Sequence, residues 1–438
     1  MRQGEVNVIT LGCAKNLIDS EQLMKMFASA GYQVRHDPRR VTGEIVVVNT
    51  CGFIAAAQEE SINMILSLVQ AKNKGQIRKL FVMGCLSERF RGDLEKELPE
   101  VDAFYGKFDW KKILSELGHG HKAMLGDRLL TTPRHYAYVK ISEGCNQHCS
   151  YCAIPLITGA MKSRSIQEIV HEVKELVSKG CREFQLIAQD LTSYGRDIKG
   201  HSLLPELLLR LSDLQGVQWI RLHYAYPTLF PLEILPIIRE RDNLCKYLDI
   251  ALQHGSDHIL RLMRRGITQQ ATKALIQQIR DEVPGIVLRT TFMVGHPGET
   301  EQDFEELLHF AEEVRFERMG AFVYSHEKDT YSYQHYQDDI PMKVKLNRYE
   351  RLMDLQLAIG ESFSKSLVGK ELEVVIDRHE KGYYVGRTQY DSPEVDPEVI
   401  VYEKEGSKRL QVGSFYPMEI VGTESFDLVA QPIISTKH

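Results

Sequence analysis

The sequence predicts an α/β protein made of a doubly wound α/β domain, a partial (βα)6 barrel like a TIM barrel, and a small antiparallel β-barrel. Three observations support this fold class. The chain of 438 residues is too long for one ordinary domain. Strand-like and helix-like segments alternate through most of it, and short strands replace them near the end. We expect domains at residues 1–120, 131–340 and 368–438, with a helical connector at 341–367.

The first domain alternates apolar runs with helical segments. Three apolar runs predict strands, at residues 6–11, 45–48 and 80–83. A helix-like stretch follows each of them, at residues 19–30, 58–71 and from residue 88 onward. This βαβαβ order predicts a parallel, doubly wound sheet.

The central domain continues the alternation on a larger scale. Six strands are predicted, at residues 136–141, 183–187, 219–222, 247–251, 286–293 and 318–323. Ser165 followed by Glu168 has the capping-box spacing of a helix start. Six βα units in roughly two hundred residues predict a barrel or partial barrel, with chemistry at the C-terminal ends of the strands.

The last part of the chain changes pattern twice. Residues 342–367 form a charged amphipathic stretch that predicts one helix. From Glu371 onward, short runs rich in Val, Ile and Tyr are broken by Gly, Pro and Asp. This pattern is typical of a small β-barrel or β-sandwich.

Composition limits the classes of protein. The chain is 43% hydrophobic and carries a net charge of -6, which argues against a main role in binding a phosphate backbone. No apolar run approaches the roughly 18 residues of a membrane span, so we expect no membrane partner. Residues 1–5 lead directly into a strand-like run, so we expect no secretory signal and a cytoplasmic protein. There the eight cysteines would be ligands or free thiols rather than disulfides.

Three cysteines in eight residues form a CxxxCxxC motif at Cys145, Cys149 and Cys152. A 4Fe–4S cluster normally takes four cysteine ligands, so three local thiolates leave one iron open to an outside ligand. The motif follows the first strand of the predicted barrel, where a barrel places its active site. The alternative is a zinc site completed by His148 or a distant residue, but zinc motifs usually pair cysteines as CxxC.

Three further cysteines follow the predicted strands of the first domain. Cys13, Cys51 and Cys85 each come just after a strand and next to a glycine. The carboxyl ends of parallel strands share one edge of the sheet, where ligands bind. The sequence therefore predicts a second metal cluster there. The alternative is three buried structural cysteines, which we expect for Cys181 and Cys245.

At this point the sequence resembles the methylthiotransferase family of the radical S-adenosylmethionine (SAM) superfamily. The resemblance covers essentially the whole chain, including a C-terminal domain similar to the TRAM domain. It rests on the CxxxCxxC motif followed by Tyr151 and by Ala-Ile-Pro at 153–155, on Thr-Leu-Gly-Cys-Ala-Lys-Asn at 10–16, and on Asn-Thr-Cys-Gly-Phe at 49–53.

The resemblance implies two 4Fe–4S clusters. One, on Cys145, Cys149 and Cys152, would bind SAM and cleave it reductively to a 5′-deoxyadenosyl radical that abstracts hydrogen from an unactivated carbon. The auxiliary cluster would take part in sulfur insertion, with a second SAM supplying the methyl group. Its ligands would be Cys13, Cys51 and Cys85. A reductant such as flavodoxin or ferredoxin would supply electrons.

Four residues outside the cysteine sets are candidates for contact with SAM. Tyr151 lies inside the cysteine motif. Gln189 and Asp190 follow the second strand of the barrel, and Arg289 lies in the fifth, where its guanidinium could pair with the SAM carboxylate. The alternatives are a capped loop at 189–190 and a buried salt bridge at Arg289.

Two branches of the family differ in substrate: one modifies an adenosine of transfer RNA, the other the β-carbon of an aspartate in ribosomal small-subunit protein twelve. Residues 14–21 resemble the second branch, since the first typically has Gln-Met-Asn after the cysteine. So does the segment 386–396, where Pro-Glu-Val-Asp follows Gly-Arg. Residues 370–438 hold thirteen Asp and Glu against eight Lys and Arg, which suits a basic protein partner better than RNA.

The sequence thus predicts aspartate methylthiolation of the ribosomal protein. Two alternatives stay open. One is methylthiolation of transfer RNA, with nucleic acid as substrate. The other is a non-catalytic, zinc-containing protein that binds RNA or the ribosome.

Overall fold

The computed structural model describes residues 4–41, 43–118, 127–404 and 409–433. The chain divides into two compact units. The first unit comprises Met1–Thr132, Tyr138–Glu175 and Ser325–His335, and the second comprises Pro133–Ala137, Leu176–Tyr324 and Tyr336–His438. These units do not coincide with the predicted domains at 1–120, 131–340, 341–367 and 368–438, whose boundaries stay predictions. Within the described ranges, no helix is both long enough and apolar enough to cross a membrane.

The N-terminal sheet has five parallel strands in the order β2-β1-β3-β4-β5. Its strands are β1 (Glu5–Thr10), β2 (Gln33–His36), β3 (Gly43–Thr50), β4 (Ile77–Gly84) and β5 (Ala103–Phe104). Its helices are α1 (Ala14–Ser29), α2 (Ala55–Asn73), α3 (Cys85–Glu97) and α4 (Lys112–Glu116). The predicted doubly wound domain is confirmed, with β2 and β5 as additional short strands at the two edges.

Both faces of this sheet are covered, which explains the continuous apolar runs in its central strands. Alternate residues of β3 and β4 enter two different cores: Val46 and Val48 pack on one face, and Ile45 and Val47 pack on the other. A strand buried on both faces needs no polar alternation.

The central sheet has six strands in the order β13-β12-β11-β10-β9-β6, and the pairings from β9 to β13 are parallel. Its linear order matches the predicted partial barrel. The strands of this region are β6 (Tyr136–Lys140), β7 (Ser142–Glu143), β8 (Lys162–Ser163), β9 (Glu183–Ile187), β10 (Trp219–Ala225), β11 (Leu244–Ile250), β12 (Val287–Val294) and β13 (Arg318–Val323). The short strands β7 and β8, which pair only with each other, were not predicted.

Helices connect these strands in sequence. They are α5 (Ile154–Thr158), α6 (Ile166–Ser178), α7 (Arg196–Lys199), α8 (Leu204–Ser212), α9 (Ile234–Glu240), α10 (Asp257–Leu262), α11 (Gln269–Glu282), α12 (Glu301–Val314) and α13 (Tyr331–His335). The predicted capping box precedes α6, where the backbone N–H of Ser165 donates to Glu168 at 3.0 Å and the N–H of Glu168 donates back to the Ser165 hydroxyl at 3.2 Å. The connector is one helix, α14 (Met342–Ser366).

The C-terminal domain is a closed five-stranded barrel in the order β14-β15-β16-β18-β17. Its strands are β14 (Glu371–Glu380), β15 (Tyr383–Thr388), β16 (Val399–Tyr402), β17 (Phe415–Glu424) and β18 (Asp427–Pro432). Four neighbouring pairs are antiparallel, as predicted, but β16 and β18 are parallel. Of the charged residues counted in this domain, Glu405, Lys408 and Lys437 lie outside the described residues.

The C-terminal barrel packs against the amino-terminal ends of the central strands. Trp219, the first residue of β10, contacts Phe415 with ring centroids 4.8 Å apart. Cys245 near the start of β11 and Val287 at the start of β12 belong to the same core as Val375 of β14. Within this unit, the carboxyl ends of the central strands are therefore opposite to the face that the C-terminal barrel covers.

A buried charge network reinforces this contact. Glu183 at the start of β9 accepts hydrogen bonds from Arg221 at 2.5 Å and from Arg387 of β15 at 2.8 Å. Arg387 also donates to Asp377 at 2.6 Å, and Asp377 lies 2.7 Å from the ring of His135. Because buried charges are stable only when paired, this network requires both domains to be in place.

Candidate active site

The structure places the three N-terminal cysteines at one edge of the first sheet. β1, β3 and β4 are adjacent and parallel, so their carboxyl ends share that edge. Cys13 occupies the position before the first residue of α1, Cys51 directly follows β3, and Cys85 is the first residue of α3. Two of the cysteines thus lie at helix N-termini, where the helix dipole stabilises a thiolate or an anionic cluster.

Glycines let these three loops approach to van der Waals contact. Gly12 has a φ of +91°, and a Cβ atom there would lie 2.8 Å from the Cβ of Cys51. A Cβ on Gly52 would lie 2.7 Å from the backbone of Leu86, the neighbour of Cys85. No residue with a side chain fits at these positions without displacing a cysteine loop.

The side chain of Asn16 connects all three loops. Its amide donates to the carbonyl of Leu11 at 3.0 Å and to the carbonyl of Thr50 at 3.1 Å. Its carbonyl oxygen lies 3.5 Å from the sulfur of Cys85, whose thiol donates to it. Asn16 is buried, so these bonds fix the relative positions of the strand ends.

The thiols of this site differ in proton affinity. Burial raises the pKa of Cys85 to about 12, although Lys107 opposes the shift, and burial also raises the pKa of Cys51. Cys13 is exposed. Partial desolvation by the surrounding protein acts to raise the pKa of its thiol, but Lys15, the N–H of Asn16 and Lys107 outweigh this effect, so the pKa is lowered. Binding of iron by these residues would release the protons of the buried thiols.

The CxxxCxxC loop begins directly after β7. The backbone N–H of Gln147 donates to the sulfur of Cys145 at 3.4 Å, the kind of bond that stabilises a thiolate ligand. The loop is closed by a bond from the N–H of Cys145 to Gly159 and by one from the N–H of Met161 to the side chain of Asn146. Its three cysteines are half-buried and free of disulfides.

The donor sets fit iron–sulfur clusters. Each set offers three thiols and no disulfide, and both sets belong to the same compact unit of the chain. Each cysteine of a 4Fe–4S cluster binds a different iron, so the ligands need not meet at one point. Among the described residues, no three His, Cys, Asp or Glu side chains converge closely enough to hold a single metal ion.

The candidate SAM contacts are distributed over both units. Tyr151 lies half-buried in the cysteine loop of the first unit. In the second unit, Gln189 and Asp190 follow the carboxyl end of β9. Asp190 accepts hydrogen bonds from the hydroxyls of Thr192 at 2.7 Å and Ser193 at 2.6 Å, so it caps its own loop.

Arg289 is not at the carboxyl end of its strand. It is the third residue of β12 and pairs in register with Arg318, the first residue of β13. Its guanidinium lies 3.5 Å from Asp249 and 3.4 Å from Asp396 of the C-terminal domain. The structure shows the salt bridge that was the alternative interpretation of Arg289, and its contact with SAM stays a prediction.

The other two cysteines, Cys181 and Cys245, are fully buried. Burial fits the structural role expected for them, which stays a prediction. By contrast, sequence reasoning did not single out Asn16 or Lys107 as parts of the cysteine site. Asn16 lies within the motif at 10–16, so its spacing from Cys13 was a usable signal. Lys107 lies in a loop after β5 and belongs to no motif that could have identified it in the sequence.

Comparison with families of known proteins agrees with this architecture. Residues 139–311 match the radical SAM superfamily, residues 368–433 match the TRAM domain, and residues 5–106 match the uncharacterized protein family UPF0004. Among solved structures, the radical S-adenosylmethionine methyltransferase TsrM from Kitasatospora setae is similar in fold. The two chains superimpose with a TM-score of 0.53 and 15% identity over 73% of this chain and 74% of that one.

Full-length relatives are much closer in sequence. The chain is 61% identical over 429 residues to the ribosomal protein uS12 methylthiotransferase RimO of Parabacteroides distasonis, a match covering 98% of this chain and 99% of that protein. Identity to the protein of the same name from Porphyromonas gingivalis is 62% over 432 residues, again covering 98% and 99%. The Cytophaga hutchinsonii protein of that name is 48% identical over 428 residues, covering 98% of this chain and 97% of that protein.

Fold and site together define a radical SAM enzyme with a second cysteine set in its N-terminal domain. The cofactors that accompany this class here are SAM and two 4Fe–4S clusters. More narrowly, the chain belongs to the family of the ribosomal protein uS12 methylthiotransferase RimO.

Proposed function

We propose that this methylthiotransferase adds a methylthio group to the β-carbon of an aspartate in ribosomal protein uS12. In this proposal Cys145, Cys149 and Cys152 hold the cluster that binds SAM. The auxiliary cluster is held by Cys13, Cys51 and Cys85. The observation that carries the proposal is the presence of two sets of three cysteine thiols in one compact unit, none of them in a disulfide. The CxxxCxxC loop is closed by backbone hydrogen bonds, and glycines bring the three N-terminal loops together.

With clusters and SAM bound, the site supplies a radical that removes hydrogen from the substrate carbon, followed by sulfur insertion and methyl transfer. The chain's own contribution is to hold and orient these groups. The N–H of Gln147 stabilises the thiolate of Cys145. Asn16 joins the loops of Cys13 and Cys51 through its bonds to the carbonyls of Leu11 and Thr50, which would help to hold the auxiliary cluster in one position.

The contacts with SAM belong to the same proposal. Tyr151 adjoins two of the cysteine ligands in sequence, and Gln189 and Asp190 follow a strand at its carboxyl end, where barrels bind ligands. Arg289 is the weakest candidate, because Asp249 and Asp396 already pair with its guanidinium.

The choice of substrate rests on the relatives and on local sequence. The relatives that cover nearly the whole chain are named for ribosomal protein uS12. The surface of the C-terminal barrel is less acidic than its composition suggests. The side chains of Asp391 and Asp396 are buried against Arg318 and Arg289, and the half-buried Asp377 pairs with Arg387, so these three carboxylates add little to an acidic surface.

The proposal also includes an electron donor and a cellular compartment. The clusters need an external one-electron donor, for which flavodoxin or ferredoxin has the right chemistry. We place the enzyme in the cytoplasm, because a reducing compartment keeps its cysteine thiols out of disulfides and available as ligands.

The test is a reaction of the anaerobically reconstituted enzyme with SAM, a reductant and either uS12 or unmodified transfer RNA, followed by mass spectrometry. We expect an added methylthio group on an aspartate of uS12 and none on the RNA. The opposite outcome would replace the proposed substrate. About eight irons per chain are expected from two clusters, and zinc without iron would contradict the enzymatic proposal itself.

A further inference from the structure

A buried lysine lies against the N-terminal cysteine site. Lys107 follows β5, and its side chain is only 3% exposed. Its ammonium donates to Asp19 at 2.5 Å and to the side-chain oxygen of Asn16 at 3.2 Å. That oxygen also accepts from the thiol of Cys85 at 3.5 Å. The ammonium and the Cys85 sulfur are therefore separated by a single shared oxygen atom.

The surrounding chain holds this lysine rigidly. The backbone N–H of Lys107 donates to Glu88 at 2.6 Å, which fixes the loop to α3. Asp19 binds Lys107 through one carboxylate oxygen and Lys140 through the other, at 2.8 Å. Lys140 in turn pairs at 2.6 Å with Glu143, which lies two residues before Cys145. The ion pairs form a continuous chain within the first unit, from the N-terminal cysteine site to the start of the second cysteine loop.

The positive charge of Lys107 lies beside the N-terminal cysteine site. Its ammonium and the thiol of Cys85 donate to the same side-chain oxygen of Asn16, at 3.2 and 3.5 Å. A cluster bound by Cys13, Cys51 and Cys85 would experience the field of this charge. The reduction potential of an iron–sulfur cluster depends on the charges and hydrogen bonds around its sulfurs, and a buried charge is poorly screened.

We propose that Lys107 is a positioning residue of the auxiliary site, whose fixed positive charge raises the reduction potential of the cluster held by Cys13, Cys51 and Cys85. The inference rests on the proposed assignment of those cysteines as cluster ligands. Neither the family matches nor the relatives' names assign a role to this residue, and the family match to the N-terminal domain ends at residue 106.

The test compares midpoint potentials in the full-length, anaerobically reconstituted chain. The substitutions Cys145→Ala, Cys149→Ala and Cys152→Ala leave only the auxiliary cluster, whose reduction is followed by electron paramagnetic resonance in a redox titration. In this background, Lys107→Met should make reduction at least tenfold less favourable, which is about 59 mV for a one-electron couple. Lys107→Arg, which keeps the charge, should restore most of the difference.

One control and one replacement variant separate the charge effect from general damage. Lys345→Met removes another buried, ion-paired lysine, from the second unit, and should leave the potential unchanged. If Lys107→Met assembles no cluster, the milder Lys107→Gln takes its place, with the same shift expected.

Three results would overturn the inference. A neutral variant that retains about four irons at the unchanged potential, or an Arg variant that shifts as far as the Met variant, contradicts the role of Lys107 alone. Failure of the triple-cysteine background to bind iron contradicts the assignment of the auxiliary ligands, and the inference falls with it.

Discussion

At the residue scale, the cysteine sites depend on small residues and on a few buried polar groups. Gly12 occupies a backbone conformation that favours glycine, and it lies where any side chain would meet Cys51. Gly75 has a similar φ, +72°, but a Cβ there would touch nothing within 4 Å. Alanine substitutions at Gly12 and Gly75 therefore share the cost of backbone strain, and only the one at Gly12 also displaces a loop that carries a cysteine ligand.

We expect Gly12→Ala to disable the auxiliary site while leaving the CxxxCxxC loop intact. Iron content after reconstitution should fall from about eight to about four per chain. Gly75→Ala should cost only the roughly 1–2 kcal/mol of left-handed backbone strain and keep the full iron content. Equal iron content in both variants would show that Gly12 does not position the auxiliary ligands.

A second prediction at this scale concerns pH. Burial alone would raise the pKa of Asp377, but Arg387 and His135 together lower it to about 2. A carboxyl group whose pKa is lower in the folded state stabilises the fold above its ordinary pKa and loses that effect as pH falls. Asp377→Asn should therefore destabilise the protein by about 2 kcal/mol at pH 6, and the difference from wild type should shrink between pH 4 and pH 2.

Urea unfolding followed by tryptophan fluorescence would measure this difference. The chain has two tryptophans, so a Trp110→Phe background leaves Trp219, which packs on the C-terminal barrel. Glu380→Gln, at the exposed end of the same strand, should give a pH dependence parallel to wild type. A constant effect of Asp377→Asn across this pH range would contradict the assignment.

At the element scale, the segment 393–396, whose sequence resembles the branch of the family that modifies the ribosomal protein, attaches the C-terminal barrel to the central domain. Glu394 accepts a hydrogen bond from the hydroxyl of Tyr136 at 3.1 Å, and Asp396 accepts one from the hydroxyl of Tyr247 at 2.7 Å. Tyr136 is the first residue of β6, and Tyr247 is the middle residue of β11. The segment thus anchors the C-terminal barrel to the central domain, on the face away from the strands' carboxyl ends.

The ion pair between Arg318 and Asp391 should be essential to this attachment. Both side chains are buried, and Asp391 accepts from Arg318 at 2.6 and 3.1 Å. Asp391→Ala leaves a buried guanidinium without its carboxylate and should cost about 3–5 kcal/mol in urea unfolding. Glu398→Ala breaks the exposed pair with Arg378 in the same domain and should cost about 1 kcal/mol or less. Similar losses in the two variants would argue against this attachment.

At the scale of the whole molecule, two cysteine sets with separate loops predict separable activities. We expect Cys149→Ala to abolish reductive cleavage of SAM, because the cluster that binds SAM loses a ligand. Cys51→Ala should retain SAM cleavage and lose methylthiolation, because only the auxiliary site is damaged. The measurements are 5′-deoxyadenosine formation and mass spectrometry of the substrate. Loss of both activities in Cys51→Ala would mean that the two sites do not function independently.

Much of this protein follows from the sequence alone. Apolar runs separated by helical segments predicted the doubly wound domain and the partial barrel, because burial on both faces of a parallel sheet requires continuous apolar strands. The positions of Cys13, Cys51 and Cys85 after three such strands predicted their common edge. The short edge strands β2 and β5 were missed because their few residues give no comparable periodicity.

Only the tertiary structure decided what the polar residues do. Arg289 was a candidate for contact with SAM, and Glu394 and Asp396 lie in a segment that resembles one branch of the family. In the structure, all three form pairs across the contact between the central and C-terminal domains. Lys107 has no motif, yet it lies beside the N-terminal thiols. The physical reason is that apolar periodicity is local and can be recognised in sequence. The partner of a buried charge is set by long-range packing and appears only in the folded chain.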